Sequence, residues 1–334
     1  MKAYEIVGAD GIDALRLADR PRPKPGHGEV LVRIRASSIN YRDLMTVLDP
    51  ESRALPYPRI PNSDGAGEVL AVGPAVTRFA PGDRVAGTFF QRWHDGPITA
   101  DAMSSALGGA LDGVLAEEVV LGELGLVRFP EHLSFEEAAS LPCAALTAWH
   151  ALIEKGGLKA GETVLVLGTG GVSIFGLQFA ALHGARPIVI SSSDAKLERA
   201  RSLGAWQTVN YRATPVWDRA VLDLTEGLGV DHVVEVGGAG TLERSVAACR
   251  IGGHIALIGV LTGGEINPTA IMRKSLTVHG IYVGSRAMFE AMNRAIAAAG
   301  LRPVIDRRFA FTEARAAYHH MQAAGHFGKI VVTL

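Results

Sequence analysis

The stretch TVLVLGTGGVSIFGLQFAALHGA, residues 163–185, constrains the fold more than any other part of the chain. An apolar strand-like run leads into Gly168, Gly170 and Gly171, and an apolar helix-forming segment follows at once. Glycines at such a junction permit a tight turn and let backbone N–H groups approach a pyrophosphate, which a helix N-terminus also attracts. The third glycine of the usual G-x-G-x-x-G spacing is Ser173 here. The context compensates, because a second apolar strand, RPIVIS, ends about 20 residues on, where a ribose-reading residue belongs.

The texture around this unit fixes the architecture. TVLVLG, RPIVIS, WQTVN, DHVVEVG, GHIALIG and SLTVHGI read as six strands, with helical candidates such as Asp194 to Leu203 between several of them. Strands spaced in this way need crossover helices, so the sheet is expected to be parallel and doubly wound, giving an α/β fold. Most of the 16 prolines fall before Cys143, where glycine turns are also dense, and GEVLVRIRAS alternates with the two-residue period of a half-buried strand. That half reads as mainly β. The helix SRAMFEAMNRAIAAAG and the closing strand GKIVVTL have no place in a completed six-stranded sheet and are expected to rejoin it. The expected division is a β-rich domain of 1–125 with 283–334, and a dinucleotide-binding domain of 126–282.

The second strand tip bears on which nicotinamide cofactor is held. An Asp or Glu there would accept hydrogen bonds from the ribose hydroxyls and repel a 2′-phosphate. The sequence instead reads IVISSSDAKLERA. The hydroxyls of Ser192 and Ser193 can donate to phosphate oxygens, and Lys196, one helical turn on, can supply charge, which favours NADPH. The competing role for Ser193 or Asp194 is a helix cap, with Lys196 in solvent.

Composition narrows the partners. With 334 residues the chain suits two domains, and a formal net charge of -1 with dispersed Lys and Arg gives no electrostatic case for nucleic acid or an acidic membrane. The first residues lack the pattern of a signal peptide and no apolar run has the length of a membrane span, so a cytoplasmic location is expected. The two cysteines, Cys143 and Cys249, are too few for a disulfide framework or a four-thiolate zinc cluster.

Six landmarks agree in order and spacing: SSINYRD (37–43), IPNSDGAGEV (60–69), FAPGDRVAG (79–87), LPCAALTAWHAL (141–152), VLGTGGVSIFG (166–176) and HFGKIVVTL (326–334). On them the chain resembles the medium-chain dehydrogenase/reductase superfamily over essentially its whole length, and within it the zinc-free quinone oxidoreductases and related enone reductases. The resemblance implies a GroES-like catalytic domain beside the dinucleotide-binding domain, and a homodimer joined at the sheet edge near SLTVHGI. In zinc-dependent members the first landmark takes a cysteine, the second a His-Glu pair and the third a cysteine or acid. Here those places read Asn40, Ser63-Asp64 and Cys143, which cannot supply the three protein ligands of a catalytic zinc. No metal is expected.

Without a Lewis acid, simple ketones are hard to polarise, whereas hydride added to an enone gives an enolate that hydrogen-bond donors can stabilise, and quinone reduction gains aromaticity. The expected function is therefore NADPH-dependent, zinc-independent reduction of quinones or α,β-unsaturated carbonyl compounds. Two alternatives stand beside it: a metal-free alcohol dehydrogenase or carbonyl reductase, and a non-catalytic NADPH-binding protein of the crystallin or sensor kind. The resemblance places Tyr41 near the nicotinamide as proton or hydrogen-bond donor, with water as its competitor, and gives Asn40 an orienting role. It further implies cofactor contacts at Thr147, Gly168, Gly170, Gly171, Val172, Tyr211, Gly259, Leu261, Tyr282, Val283 and Lys329, besides Ser192, Ser193 and Lys196. Trp93, His94 and Met103, in the long stretch 90–118, are candidates for the substrate mouth.

Overall fold

The computed structural model describes every residue except Val260. Its strands, in chain order, are β1 (Lys2–Ile6), β2 (Leu15–Asp19), β3 (Glu29–Ile39), β4 (Asp64–Val72), β5 (Arg84–Gly87), β6 (Glu118–Gly122) and β7 (Leu126–Arg128). There follow β8 (Thr163–Leu167), β9 (Arg186–Ser191), β10 (Gln207–Asn210), β11 (Val230–Glu235), β12 (Cys249–Leu257) and β13 (Thr277–Gly280). The chain closes with β14 (Ile305–Ala310) and β15 (Lys329–Thr333). Two compact units result, Met1–Leu146 with Gly284–Leu334, and Thr147–Val283.

The first unit is built on β3. Its first half pairs antiparallel with β6, its second half with β15, and its other edge with β4. The full path of this sheet is β14-β15-β3-β4-β5-β7, with β6 on β3. Because neighbours flank it on both sides, most of β3 is buried, and Val30, Val32, Ile34 and Ile39 join Val69, Val85, Leu115 and Val332 in one core. Burying each such side chain contributes about 1.5–3 kcal/mol. The helix α1 (Tyr41–Leu48) starts immediately after β3. Its N-cap is Asn40, whose backbone N–H donates to Asp43 Oδ2 at 2.9 Å, the reciprocal half of a capping box.

The second unit carries a six-stranded parallel sheet in the order β10-β9-β8-β11-β12-β13. β8 is buried at every residue, as a strand covered by helices on both faces must be, and this is why its sequence reads as an unbroken apolar run. Strand order reverses between β8 and β11, the position at which doubly wound sheets bind ligands beyond the carboxyl ends of their strands. β13 forms one edge of the sheet.

The six expected strands and the parallel α/β architecture are all present, and the C-terminal strands do rejoin the β-rich unit. The domain boundary needs correction: residues 126–146, expected in the dinucleotide-binding domain, belong to the β-rich unit. There β7 pairs with β5, and the backbone N–H of Cys143 donates to Asp64 Oδ2 at 3.0 Å. The second break, between Val283 and Gly284, falls one residue after the expected one.

Candidate active site

At the end of β8, Gly168 takes φ of +73°, a conformation that costs glycine little and other residues more. Gly170 is the N-cap of the helix Gly171–Leu182 and no side chain caps that end, so the first-turn N–H groups are left for an external acceptor. Ser173, at the place of the third glycine, is buried and donates its hydroxyl back to Leu167 O at 2.7 Å. The serine thus ties helix to strand. A loop of this build, with an uncapped helix start, suits an anionic group.

The tip of β9 shows how its serines are used. Ser193 is the N-cap of the helix Asp194–Ser202, its Oγ accepting from the Lys196 backbone N–H at 3.4 Å. The capping role weighed against a phosphate contact is therefore in place, though the hydroxyl keeps its own proton to donate. Asp194, the acid that would discourage a phosphate, accepts from Asn210 Nδ2 at 2.7 Å. Ser192 is half-buried and Tyr211 is exposed, with its N–H on Ser191 O at 3.1 Å.

Further along the carboxyl ends of the sheet, Gly259 lies against β11. A Cβ there would stand 1.7 Å from Val236 O, so only glycine fits. Leu261 and Tyr282 are exposed, Val283 is buried with φ of +56° and accepts from the His150 ring at 2.8 Å, and Thr147 is buried. A residue that sequence reasoning missed organises this end. Glu235, fully buried at the end of β11, accepts from the N–H groups of Gly237 at 2.7 Å and Gly238 at 3.1 Å, from Thr241 Oγ1 at 2.6 Å, and from Ser245 Oγ. The signal was an acid inside the apolar run DHVVEVGG.

The β-rich unit gathers the other candidates. Tyr41 opens α1 and is 43% exposed. Asn40 is buried beside it. Its Oδ1 accepts from Lys329 Nζ at 2.5 Å and its Nδ2 donates to Ser63 Oγ at 3.3 Å. Ser63 in turn donates to Asp64 Oδ1 at 2.6 Å. Lys329, expected at the cofactor, is only 3% exposed, and its ammonium is turned inward to Ile39 O at 3.0 Å and Asn40. Burial pushes the Asp64 carboxyl above the ordinary carboxylate range, opposed by the charge of Lys329 and the Ser63 hydrogen bond.

Behind this chain, Tyr318 donates to Asn62 Oδ1, Asn62 Nδ2 donates to Ser37 Oγ at 2.9 Å, and Ser37 donates to Asp64 O at 2.9 Å. Arg42 donates to Leu107 O at 2.6 Å, lies 4.4 Å over the Phe89 ring and approaches Asp43 at 3.6 Å, a structural placement. Burial and nearby Asp64 push the Cys143 thiol up, so it is no ready nucleophile. The stretch 90–118 is anchored rather than loose: Trp93 is buried, and the N–H groups of Arg286 and Ala287 donate to Trp93 O and His94 O. Met103 remains exposed.

These residues do not fit a zinc ion. Asn40 and Ser63 are neutral ligands spent on each other, both Asp64 oxygens already accept hydrogen bonds, and an ammonium occupies the same set. Among the described residues no group of three or more His, Cys, Asp or Glu side chains is arranged to hold a metal. No described helix is long and apolar enough to cross a membrane.

Two family models match, the alcohol dehydrogenase GroES-like domain over residues 26–131 and the zinc-binding dehydrogenase domain over 171–298. A zinc-type alcohol dehydrogenase-like protein of Schizosaccharomyces pombe is 43% identical, the match covering 97% of this chain and 96% of that one. A quinone oxidoreductase of Pseudomonas aeruginosa is 32% identical, covering 99% of each. The crystal structure of an NAD-dependent alcohol dehydrogenase superposes with a TM-score of 0.92 at 35% identity, covering 100% of both chains.

Proposed function

The chain belongs to the medium-chain dehydrogenase/reductase superfamily and is an oxidoreductase, and from that premise we propose that it is an NADPH-dependent, zinc-independent reductase of quinones or α,β-unsaturated carbonyl compounds. The observation that carries this reading is the set Asn40, Ser63 and Asp64, which stands where the resemblance puts the ligands of zinc relatives and is joined by Lys329 into an ammonium-to-carboxylate chain. A site so filled favours acceptors that need only hydrogen-bond donation, and conjugated acceptors are such a class.

When bound, the nicotinamide supplies a hydride. The work of this chain is to hold it and to manage the proton. Gly168, Gly170, Gly171 and Val172 receive the pyrophosphate at a helix start without a side-chain cap, and Ser192, Ser193, Lys196 and Tyr211 receive the 2′-phosphate. Thr147, Gly259, Leu261, Tyr282 and Val283 line the carboxyl ends of the strands toward the nicotinamide. Tyr41, an exposed residue at the start of α1, donates a hydrogen bond or proton to the acceptor oxygen, and Asn40 orients the approach. The edge strand β13 is the surface through which two copies associate. The relatives described as alcohol dehydrogenases favour a second reading, reduction of ordinary aldehydes and ketones.

Stopped-flow oxidation of NADPH, with NADH beside it, against a quinone, an enone and a saturated aldehyde, before and after chelator treatment, decides between them. Chelator-insensitive turnover of the conjugated acceptors with NADPH is expected. Chelator-sensitive reduction of the aldehyde with NADH overturns the proposal.

A further inference from the structure

The chain of donors running from Lys329 to Asp64 has a fixed direction. An ammonium can only donate, so it compels the Asn40 carboxamide to present Oδ1 to it and Nδ2 to Ser63. Ser63, accepting there, must donate onward, and the Asp64 carboxylate closes the series. The second Asp64 oxygen is held by the Cys143 N–H. No orientation of the amide other than the one observed satisfies both neighbours. Asn40 is also the N-cap of α1, and the next residue is Tyr41.

The charges balance within the same buried volume. Lys329 and Asp64 are buried, as is Asp43, whose partner is Arg42. Two cations thus meet two carboxylates, and removing one partner leaves a buried charge uncompensated, the costly case for buried ion pairs. The lysine arrives from β15, which runs antiparallel to β3 with Ile330 opposite Ile39, so the same register carried one step outward sets Lys329 beside Asn40.

We propose that Lys329 is a positioning residue for the reduction: it acts through Asn40, locking the amide and the start of α1 so that Tyr41 is presented in one orientation, and does not itself contact cofactor or acceptor. The proposal rests on the reductase reading for its kinetic consequence only; the amide lock and the charge balance stand apart from it. Misplacing a group at the reacting centre by about 1 Å can cost a hundredfold in rate, which sets the scale.

The test compares wild-type protein, Lys329→Met and Lys329→Met/Asp64→Asn in three measurements: kcat with a conjugated acceptor, Kd for NADPH by fluorescence titration, and Tm. Lys329→Met is expected to lower kcat about tenfold to a hundredfold at an NADPH Kd within threefold of wild type, and to lower Tm. Adding Asp64→Asn restores charge neutrality and is expected to return Tm while leaving kcat low. A weakened NADPH Kd with unchanged saturated kcat makes Lys329 a cofactor contact and overturns the proposal. Return of kcat together with Tm reduces its role to neutralising Asp64 and also overturns it.

Should Lys329→Met not fold, Ser63→Ala breaks the same amide lock from its other side. A several-fold loss of kcat at unchanged NADPH Kd is then expected, and unchanged kcat overturns the idea. If wild-type protein oxidises NADPH with no conjugated acceptor, the reductase reading fails; the Tm comparison then decides the buried charge pairing, whose absence sinks the lock as well.

Discussion

Three histidines cross the second unit in a line, and they make its stability depend on pH. His232 Nε2 meets Glu162 Oε2 at 2.9 Å, His232 Nδ1 meets His254 Nδ1 at 3.3 Å, and His254 Nε2 meets His279 Nδ1 at 3.0 Å. One set of neutral tautomers satisfies the line: His232 donates to Glu162, His254 donates to His232, and His279 donates to His254. The middle ring is buried and has imidazoles on both sides, so burial first, and the two neighbouring rings second, push its pKa down to about 4 from 6.5.

The folded state thus holds this ring neutral where the unfolded chain would protonate it. Its contribution is complete above pH 6.5 and is lost as pH falls through the window from 6.5 toward about 4. At pH 5 this one ring costs the fold about 2 kcal/mol relative to pH 7. The assay is urea unfolding at pH 7 and pH 5, followed through the buried Trp217 of the same unit, for wild-type protein and His254→Gln. The glutamine keeps polar atoms but cannot titrate, so the loss between the two pH values is expected to shrink by about 2 kcal/mol. Equal losses in the two proteins would refute the reasoning, whatever their absolute stabilities.

Other expectations follow from the site. Glu235→Ala leaves four donors at the end of β11 without their acceptor and should destabilise the second unit by about 3 kcal/mol or more in the same unfolding assay. Gly259→Ala sets a Cβ into Val236 O and should abolish cofactor binding, or folding of that unit, as read by NADPH fluorescence and circular dichroism. Lys196→Ala should raise the KM for NADPH about tenfold with little change for NADH, and equal effects on both would remove the phosphate pocket. Tyr41→Phe should lower kcat at least tenfold if the phenol delivers the proton, and leave it unchanged if water does.

What could be read from the sequence was local. The glycine loop, its flanking strand and helix, and the six strands all announce themselves by periodicity within a few tens of residues, and the crossover helices between strands make the sheet parallel. The placement of residues 126–146 depends on β5 and on Asp64, far back in the chain, and neither contact leaves a local signal. The histidine line was invisible for the same reason: His232, His254 and His279 stand on three strands, and no spacing in the sequence betrays that the strands are neighbours. Lys329 and Asn40 are 289 residues apart, so the hydrogen bond between them leaves no local signal either. Ser173 looked like a defect in the glycine spacing and is instead a strand-to-helix tie.

The pairing of β15 with β3 sets an order of events during synthesis. The second unit is continuous, Thr147–Val283, and once it has left the ribosome nothing it needs is still to be made. The first unit, although begun earlier, must wait with the flank of β3 open until Lys329–Thr333 emerges. Until then Asn40 lacks the donor that orients it, and the nascent chain carries an unfilled strand slot of the kind chaperones protect. The latest strand of this unit therefore fills the slot beside β3 and brings Asn40 its donor in one step.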